Sequence, residues 1–197
     1  MSISKTRLRL VECARELFAR KGLDATTMND IAVASDKGRR TLYTYFKNKE
    51  EIYEAVITTE LERLSEKMDE LSKAKLSPID KVVELVYAHL TMMKEAVARN
   101  GSLRAEFFRN IWMVEKVRKA LDLEERNVIR RVLEEGIAKG AFEIEDVNLM
   151  ADIILYSMKG LEVPYIYDRI GEGLSNEQSK VIVVNILSRV LLKPNVL

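Results

Sequence analysis

Residues 38–52 constrain the fold of this chain more than any other segment. They read GRRTLYTYFKNKEEI, a short helical run crowded with arginine, hydroxyl and phenol side chains. Another helix starts at once at Asn48-Lys49-Glu50-Glu51, because the Asn48 side chain can cap the free N–H groups of the first turn. Helices this short need a shared apolar core, and we expect it to consist of Ile31, Ala32, Leu42 and Phe46.

The remaining chain also has the apolar periodicity of helices, and no alternating run predicts a strand. Capping boxes at 27–30, 77–80 and 175–178 mark further helix starts. We therefore expect an all-α protein of about nine helices. They should cover about 4–21, 28–35, 39–45, 49–74 and 78–100, then two helices between 103 and 139 that meet near Met113, and two that begin near Asp146 and Asn176. Pro164 should kink or end the penultimate helix.

The second and third helices are separated by Asp36-Lys37-Gly38, which is helix-turn-helix spacing with a glycine in the turn. In this motif the second helix enters the major groove of DNA. Arginine can grip guanine, whereas tyrosine, lysine and the helix N-termini suit phosphates. The alternatives are a solvated face for the arginines and core packing for Tyr43 or Tyr45. The candidate DNA-binding residues are Thr27, Lys37, Arg39, Arg40, Thr41, Tyr43, Thr44, Tyr45, Lys47 and Lys49.

Charge is distributed unevenly along the chain. Residues 1–49 contain eleven Lys/Arg and five Asp/Glu, a net charge of +6, whereas the remainder contains 21 Lys/Arg and 26 Asp/Glu, a net charge of −5. A basic N-terminal segment suits binding to a polyanion, although chance clustering on a solvated face is an equal alternative from charge alone. The single cysteine, Cys13, is expected in the core, and no secretory signal or membrane span is visible, so we expect a cytoplasmic protein.

The run Leu10 to Gly22, then Thr27, Ile31-Ala32 and Thr41 to Ile52 resembles the TetR family of bacterial transcriptional regulators. The resemblance implies a helix-turn-helix head at 4–64, with the motif at about 27–46, and a larger helical ligand-binding and dimerisation domain at 65–197. It implies a repressor that binds a palindromic operator in double-stranded DNA as a homodimer and releases it when a small ligand binds. The turn departs from the family's usual Gly-Val-Ser, because Asp36-Lys37-Gly38 stands there.

The last two predicted helices are apolar on more than one face, so we expect them to form the homodimer interface. Apolar and aromatic side chains in the middle of the body could line a pocket for an unknown small, apolar ligand, although ordinary core packing would explain each of them. Lys159 could meet an acidic ligand, pair with Glu162 or reach solvent, and His89 is expected at the surface or hydrogen-bonded in the core. The candidate ligand-binding residues are Tyr87, Leu90, Met93, Phe107, Phe108, Trp112 and Tyr156.

Two other classes of function compete with a DNA-binding regulator. An enzyme is disfavoured because the single histidine and the single cysteine lie far apart in sequence and no phosphate-binding glycine motif occurs, so we expect no catalytic site, metal or cofactor. A helical carrier of lipids or small molecules without specific DNA binding is the remaining alternative. The basic head with Arg39 and Arg40 argues against it.

Overall fold

The computed structural model describes residues 5–99 and 111–192, and between 111 and 120 it describes only the side chain of Lys119. One isolated antiparallel bridge, Phe142 with Leu192, is its only β-pairing in the described ranges. The all-α expectation is therefore confirmed. Its helices are α1 (Lys5–Lys21), α2 (Met28–Ala34), α3 (Arg39–Tyr45), α4 (Lys49–Ser72), α5 (Pro78–Arg99), α6 (Ile111–Ala138), α7 (Val147–Ile166) and α8 (Asn176–Leu191).

The four predicted helix starts are all capped by the expected side chains. Thr27 and Ser175 form complete capping boxes with Asp30 and Gln178. Asn48 accepts from the Glu51 N–H, and Ser77 accepts from the Asp80 N–H. Of the two helices expected between 103 and 139, α6 accounts for the second, and the first lies outside the described residues. None of the described helices is both long enough and apolar enough to cross a bilayer.

The chain packs as two compact units, and α4 contributes to both. The first contains Met1–Glu62 and Glu95–Ala120, and the second contains Arg63–Lys94 and Leu121–Leu197. The break after Glu62 lies close to the expected domain boundary at residue 64, whereas Glu95–Ala120 groups with the first unit.

The first unit is built on a core that holds the short helices α2 and α3. Leu10, Phe18, Ile31 and Leu42 are completely buried, and Phe18 meets Tyr53 of α4 edge to face with ring centroids 6.1 Å apart. The expected core residues Ala32 and Phe46 and the cysteine Cys13 are also buried. Packing of this kind is needed because helices of two turns are unstable in isolation.

The turn between α2 and α3 has its left-handed residue at Asp36 and not at its glycine. Gly38 has φ −65°, which any residue adopts, and a Cβ placed there would meet no atom within 4 Å. The left-handed position is Asp36, with φ 54°. Aspartate tolerates this conformation better than most residues because its short side chain can hydrogen-bond locally. The residue of this turn that adopts the left-handed conformation is therefore Asp36 and not Gly38.

The second unit has a buried group of ionisable side chains on three helices. His89 of α5 is fully buried, with Nδ1 3.0 Å from Oε1 of Glu125 on α6 and Nε2 3.0 Å from Oε1 of Glu162 on α7. Burial by itself lowers the pKa of His89, but these two hydrogen bonds and the carboxylate charges raise it to about 9. Both ring nitrogens therefore carry protons at neutral pH and donate to the glutamates.

Lys159 also has a different partner from the glutamate considered above. Its ammonium group pairs with Asp122 of α6, at 2.5 Å, while Glu162 is engaged by His89.

Pro164 does not end α7 immediately, because the helix continues to Ile166.

Candidate nucleic-acid interface

The recognition helix α3 buries one side and exposes the other. Leu42 is completely buried and Phe46, which follows the helix, is 3% exposed. Arg39, Arg40, Tyr43, Thr44 and Tyr45 are exposed, and Thr41 is half-buried. Neither tyrosine is buried, since Tyr43 is 52% and Tyr45 36% exposed. The predicted DNA-binding side chains of α3 thus share the solvent-facing side of one short helix.

Three of the predicted cations around this helix are exposed and without partners. The charged groups of Lys37 in the turn, Arg40 in α3 and Lys47 after α3 make no hydrogen bond or salt bridge within residues 5–99 and 111–192. A cation with no internal partner remains available to a phosphate and can release a counterion on binding. These three residues frame α3 at its two ends and on its outer side.

Arg39 differs from its neighbour because it is held in place. Its Nε donates to Oδ1 of Asn29 on α2, at 2.8 Å. The contact bridges the two helices of the motif, and both side chains are exposed. Asn29 was not among the residues predicted from the sequence. Only its position in the first turn of α2 hinted at a role, and sequence spacing cannot show that it faces Arg39.

The N-terminus of α2 is organised around Thr27. The Thr27 hydroxyl oxygen accepts from the Asp30 N–H at 3.1 Å, and an Asp30 carboxylate oxygen accepts from the Thr27 N–H at 2.9 Å. The Lys21 ammonium group and these Thr27 contacts lower the pKa of Asp30 to about 2. The exposed Thr27 therefore has a structural role as the helix cap in addition to its predicted contact with phosphate.

Lys49 and Thr44 also have partners inside the protein. The Lys49 ammonium group donates to the backbone oxygens of Leu23, at 2.7 Å, and Asp24, at 3.3 Å, in the connection between α1 and α2. The Thr44 hydroxyl donates to the Arg40 carbonyl at 2.9 Å, which leaves its methyl group and its lone pairs for other contacts. Lys49 thus ties α4 to the connection that precedes the recognition motif.

A cavity in the second unit brings together two of the predicted ligand-binding residues. It has a volume of about 720 Å³, and Tyr87 and Leu90 of α5 line it together with residues that the sequence did not single out, among them Thr91, Lys94, Tyr165 and Ser179. Met93 is buried without lining it, and Tyr156 is 62% exposed and also does not line it. Phe107, Phe108 and the Trp112 side chain lie outside the described residues.

The sequence of the head matches a family known for this motif. Residues 10–56 match the model of bacterial regulatory proteins, tetR family. Over 155 residues the chain is 30% identical to the HTH-type transcriptional regulator YhgD of Bacillus subtilis (strain 168), a match that covers 79% of this chain and 81% of that protein. The chain belongs to the TetR family. It is a helix-turn-helix transcriptional regulator, and the family is not one of enzymes.

Other TetR-type proteins match over most of the chain. The fatty acid metabolism regulator protein of Bacillus subtilis (strain 168) is 26% identical over 152 residues, which cover 75% of this chain and 76% of that protein. The solved structure of GusR from Salmonella enterica has a TM-score of 0.69 and 24% identity, and the match covers 95% of both chains. This second likeness extends the TetR fold to the C-terminal helices.

Two lysines at the start of α4, Lys47 and Lys49, make a matched pair for a stability measurement. Lys49→Met removes the hydrogen bonds to Leu23 and Asp24, so we expect the free energy of unfolding to fall by about 1–2 kcal/mol. Lys47→Met makes the same chemical change at a side chain that has no partner among the described residues, and we expect a change within about 0.5 kcal/mol. Urea denaturation followed by circular dichroism measures both, and equal effects in the two variants would contradict this role of Lys49.

Proposed function

We propose that this TetR-family protein is a ligand-responsive repressor that binds a palindromic operator in double-stranded DNA as a homodimer. The observation that carries the proposal is the exposed side of α3, framed by Lys37, Arg40 and Lys47, three cations with no partner in the part of the chain that the structure describes. A helix of this kind fits the major groove, and a two-fold dimer would present two such helices to half-sites about 34–36 Å apart.

Each predicted DNA-binding side chain has a proposed role that follows from its chemistry. Lys37, Arg40 and Lys47 neutralise phosphates, and the Tyr43 and Tyr45 hydroxyls bind phosphates, which positions the head without reading sequence. Arg39 contacts a base edge, and the exposed methyl group of Thr44 suits a thymine methyl. We assign residues 4–64 to DNA binding and residues 65–197 to ligand binding and dimerisation.

DNA binding can be tested with duplexes that flank the gene, against a scrambled duplex. We expect the native duplex to bind at least 1,000-fold more tightly at physiological salt. We also expect the logarithm of the association constant to fall linearly with the logarithm of salt concentration, by about 0.9 per phosphate neutralised. Fluorescence anisotropy at several salt concentrations measures both. Weak, salt-insensitive binding to both duplexes would instead favour a helical carrier without specific DNA binding.

Dimerisation through α7 and α8 is supported by two exposed apolar stripes. Along α7 and at its C-cap residue, the spacing of one stripe alternates between four and three residues, as in a coiled-coil seam. The stripe consists of Leu149, Ile153, Tyr156, Gly160, Val163 and Tyr167. The five large side chains of this stripe are 40–62% exposed. On α8, Ile182, Ile186 and Val190 follow at four-residue intervals and are 49–58% exposed.

A second copy would bury both stripes in a four-helix interface around a two-fold axis. Gly160 lies in the middle of the α7 stripe, and a Cβ placed there would meet nothing within 4 Å, so this position admits a close approach by a partner helix. Monomeric proteins rarely expose apolar surfaces of this extent, and burial by the same surface of another copy removes the exposure symmetrically.

Charged substitutions in these stripes should separate the dimer. We expect Ile153→Asp combined with Ile186→Asp to weaken dimerisation at least about 100-fold. Each substitution would bury two unpaired carboxylates in a two-fold interface, one from each protomer. Leu76→Asp is the control, since Leu76 is 38% exposed in the connection between α4 and α5. Sedimentation velocity at micromolar concentration measures the mass, and a dimer that survives the double substitution would exclude this interface.

We propose the cavity beside α5 as the ligand site. Leu90, Leu161 and Leu174 provide apolar walls, and Thr91, Tyr165 and Ser179 provide hydroxyl groups. Tyr87 donates to Ser179 at 2.8 Å, while Lys94 pairs with Asp168 at the rim. A mainly apolar ligand with a polar end group matches such walls. The name of the fatty acid metabolism regulator among the relatives makes a long-chain fatty acid the first molecule to test.

A substitution that fills the cavity should weaken both ligand binding and the effect of the ligand on DNA binding. We expect a fluorescent polyene fatty acid to bind and to weaken operator binding, and Leu161→Trp to weaken fatty acid binding at least about 10-fold, because indole occupies the cavity. Leu123→Trp is the control, since Leu123 is 57% exposed and does not line the cavity. If the fatty acid bound equally to the free and DNA-bound protein, it would not be the effector.

A further inference from the structure

Two adjacent arginines at the start of α3 are held in different ways. The Arg39 Nε donates to Asn29 Oδ1 at 2.8 Å, whereas the Arg40 guanidinium has no partner in the described chain. The Thr44 hydroxyl contacts the carbonyl of Arg40 and not its side chain. The sequence does not distinguish the two arginines, whereas the structure shows that only Arg39 is held by a side-chain hydrogen bond among the described residues.

The bond from Arg39 also defines how Asn29 is oriented. A guanidinium group has donors only, so the Asn29 amide must present its oxygen to Arg39, and its NH₂ group is turned away from that contact. Asn29 lies in the first turn of α2, whose N-terminus is held by the Thr27 and Asp30 capping box. The acceptor for Arg39 is thus mounted on a capped helix rather than on a mobile loop.

The Asn29 contact uses one particular donor of the guanidinium group. With Nε occupied, the edge formed by Nη1 and Nη2 keeps its N–H groups, and no partner within the described residues engages it. Guanine presents two acceptors, O6 and N7, side by side in the major groove, which two parallel N–H groups can bind. A guanidinium fixed at Nε is therefore prepared for end-on pairing with guanine, and less side-chain freedom is lost on binding.

We propose that Asn29 is a positioning residue that holds Arg39 for end-on pairing with a guanine of the operator, so that Arg39 reads sequence while Arg40 binds phosphate. The inference rests on the proposed function, because it requires α3 to lie in the major groove. Arg40 suits the phosphate role since an unrestrained side chain can follow any phosphate within reach and carries no geometric preference for a base.

The test begins with a binding site selected by the wild-type protein from a randomised duplex library. Each guanine of that site is then replaced by adenine, and anisotropy gives the ratio of affinities for every variant. At one guanine in each half-site we expect wild type to discriminate by about 10-fold or more. Arg39→Ala should abolish the discrimination, and Asn29→Ala should reduce it to roughly 3-fold.

Three further variants separate positioning from other roles. Asn29→Ala should change nothing further in an Arg39→Ala background, because the asparagine acts through the arginine. Asn29→Asp keeps an acceptor for Nε, so the guanine preference should survive even though the added negative charge lowers affinity for every duplex. Arg40→Ala should weaken binding to selected and scrambled duplexes alike. It should also reduce the slope of log K against log salt concentration by the contribution of about one phosphate.

The possible failures have different meanings. If the wild-type protein selects no sequence, the proposed function itself is wrong. If it selects a site but Asn29→Ala keeps the full guanine preference, or weakens binding by the same factor in the wild-type and Arg39→Ala backgrounds, the positioning role is overturned. A guanine preference that disappears with Arg40→Ala and not with Arg39→Ala would reverse the assignment of the two arginines. Circular dichroism melts of all variants identify any change caused by unfolding.

Discussion

The DNA-facing side of this protein depends on the burial of Leu42 and Phe46. The helix α3 has only seven residues, and helices of this length are unstable in water unless they pack against something. Leu42 is fully buried, and the Arg7 guanidinium lies over the ring of the buried Phe46, 5.2 Å from its centroid. Because these contacts fix the inner face, the hydroxyl-bearing side chains between them in sequence, those of Tyr43, Thr44 and Tyr45, face solvent.

Polar contacts of side chains then orient individual residues on the helices that the core has positioned. Lys21 with Asp30, Asn29 with Arg39, and Lys49 with the Leu23 carbonyl each join two neighbouring parts of the head. Exposed contacts of this kind contribute little to stability individually. Their effect is on orientation, since they leave some side chains held and others, such as Arg40, unrestrained.

The second unit departs from the usual distribution of residue types in two places, with ionisable side chains buried in one and apolar side chains exposed in the other. His89, Glu125 and Glu162 are buried together, and removing any one of them would leave a buried charge without its partner. Meanwhile Ile153, Tyr156 and Ile186 are at least half exposed. The buried charges tie α5, α6 and α7 to one another, and the exposed apolar side chains leave a surface suited to a second copy.

Local signals in the sequence were sufficient for the helices and the motif. Caps at Thr27, Asn48, Ser77 and Ser175 act within one turn, so their spacing alone located the helix starts to within about one residue. The apolar periodicity likewise identified Leu42 and Phe46 as inward-facing, because burial of a helix face follows from a period of 3.6 residues.

The partners of long side chains were decided by the tertiary structure alone. Lys49 reaches a carbonyl near Leu23, Lys159 reaches Asp122 rather than Glu162, and Arg39 reaches Asn29. These contacts join helices whose relative positions depend on the packing of the entire unit, and lysine and arginine have several rotamers that local sequence does not distinguish. The turn shows the same division, because the composition of Asp36-Lys37-Gly38 signalled a turn, while only the backbone showed that Asp36 takes its left-handed position. The sequence thus determined the helices, the motif and the family, whereas long-range packing decided which charged groups are engaged and which remain available for DNA.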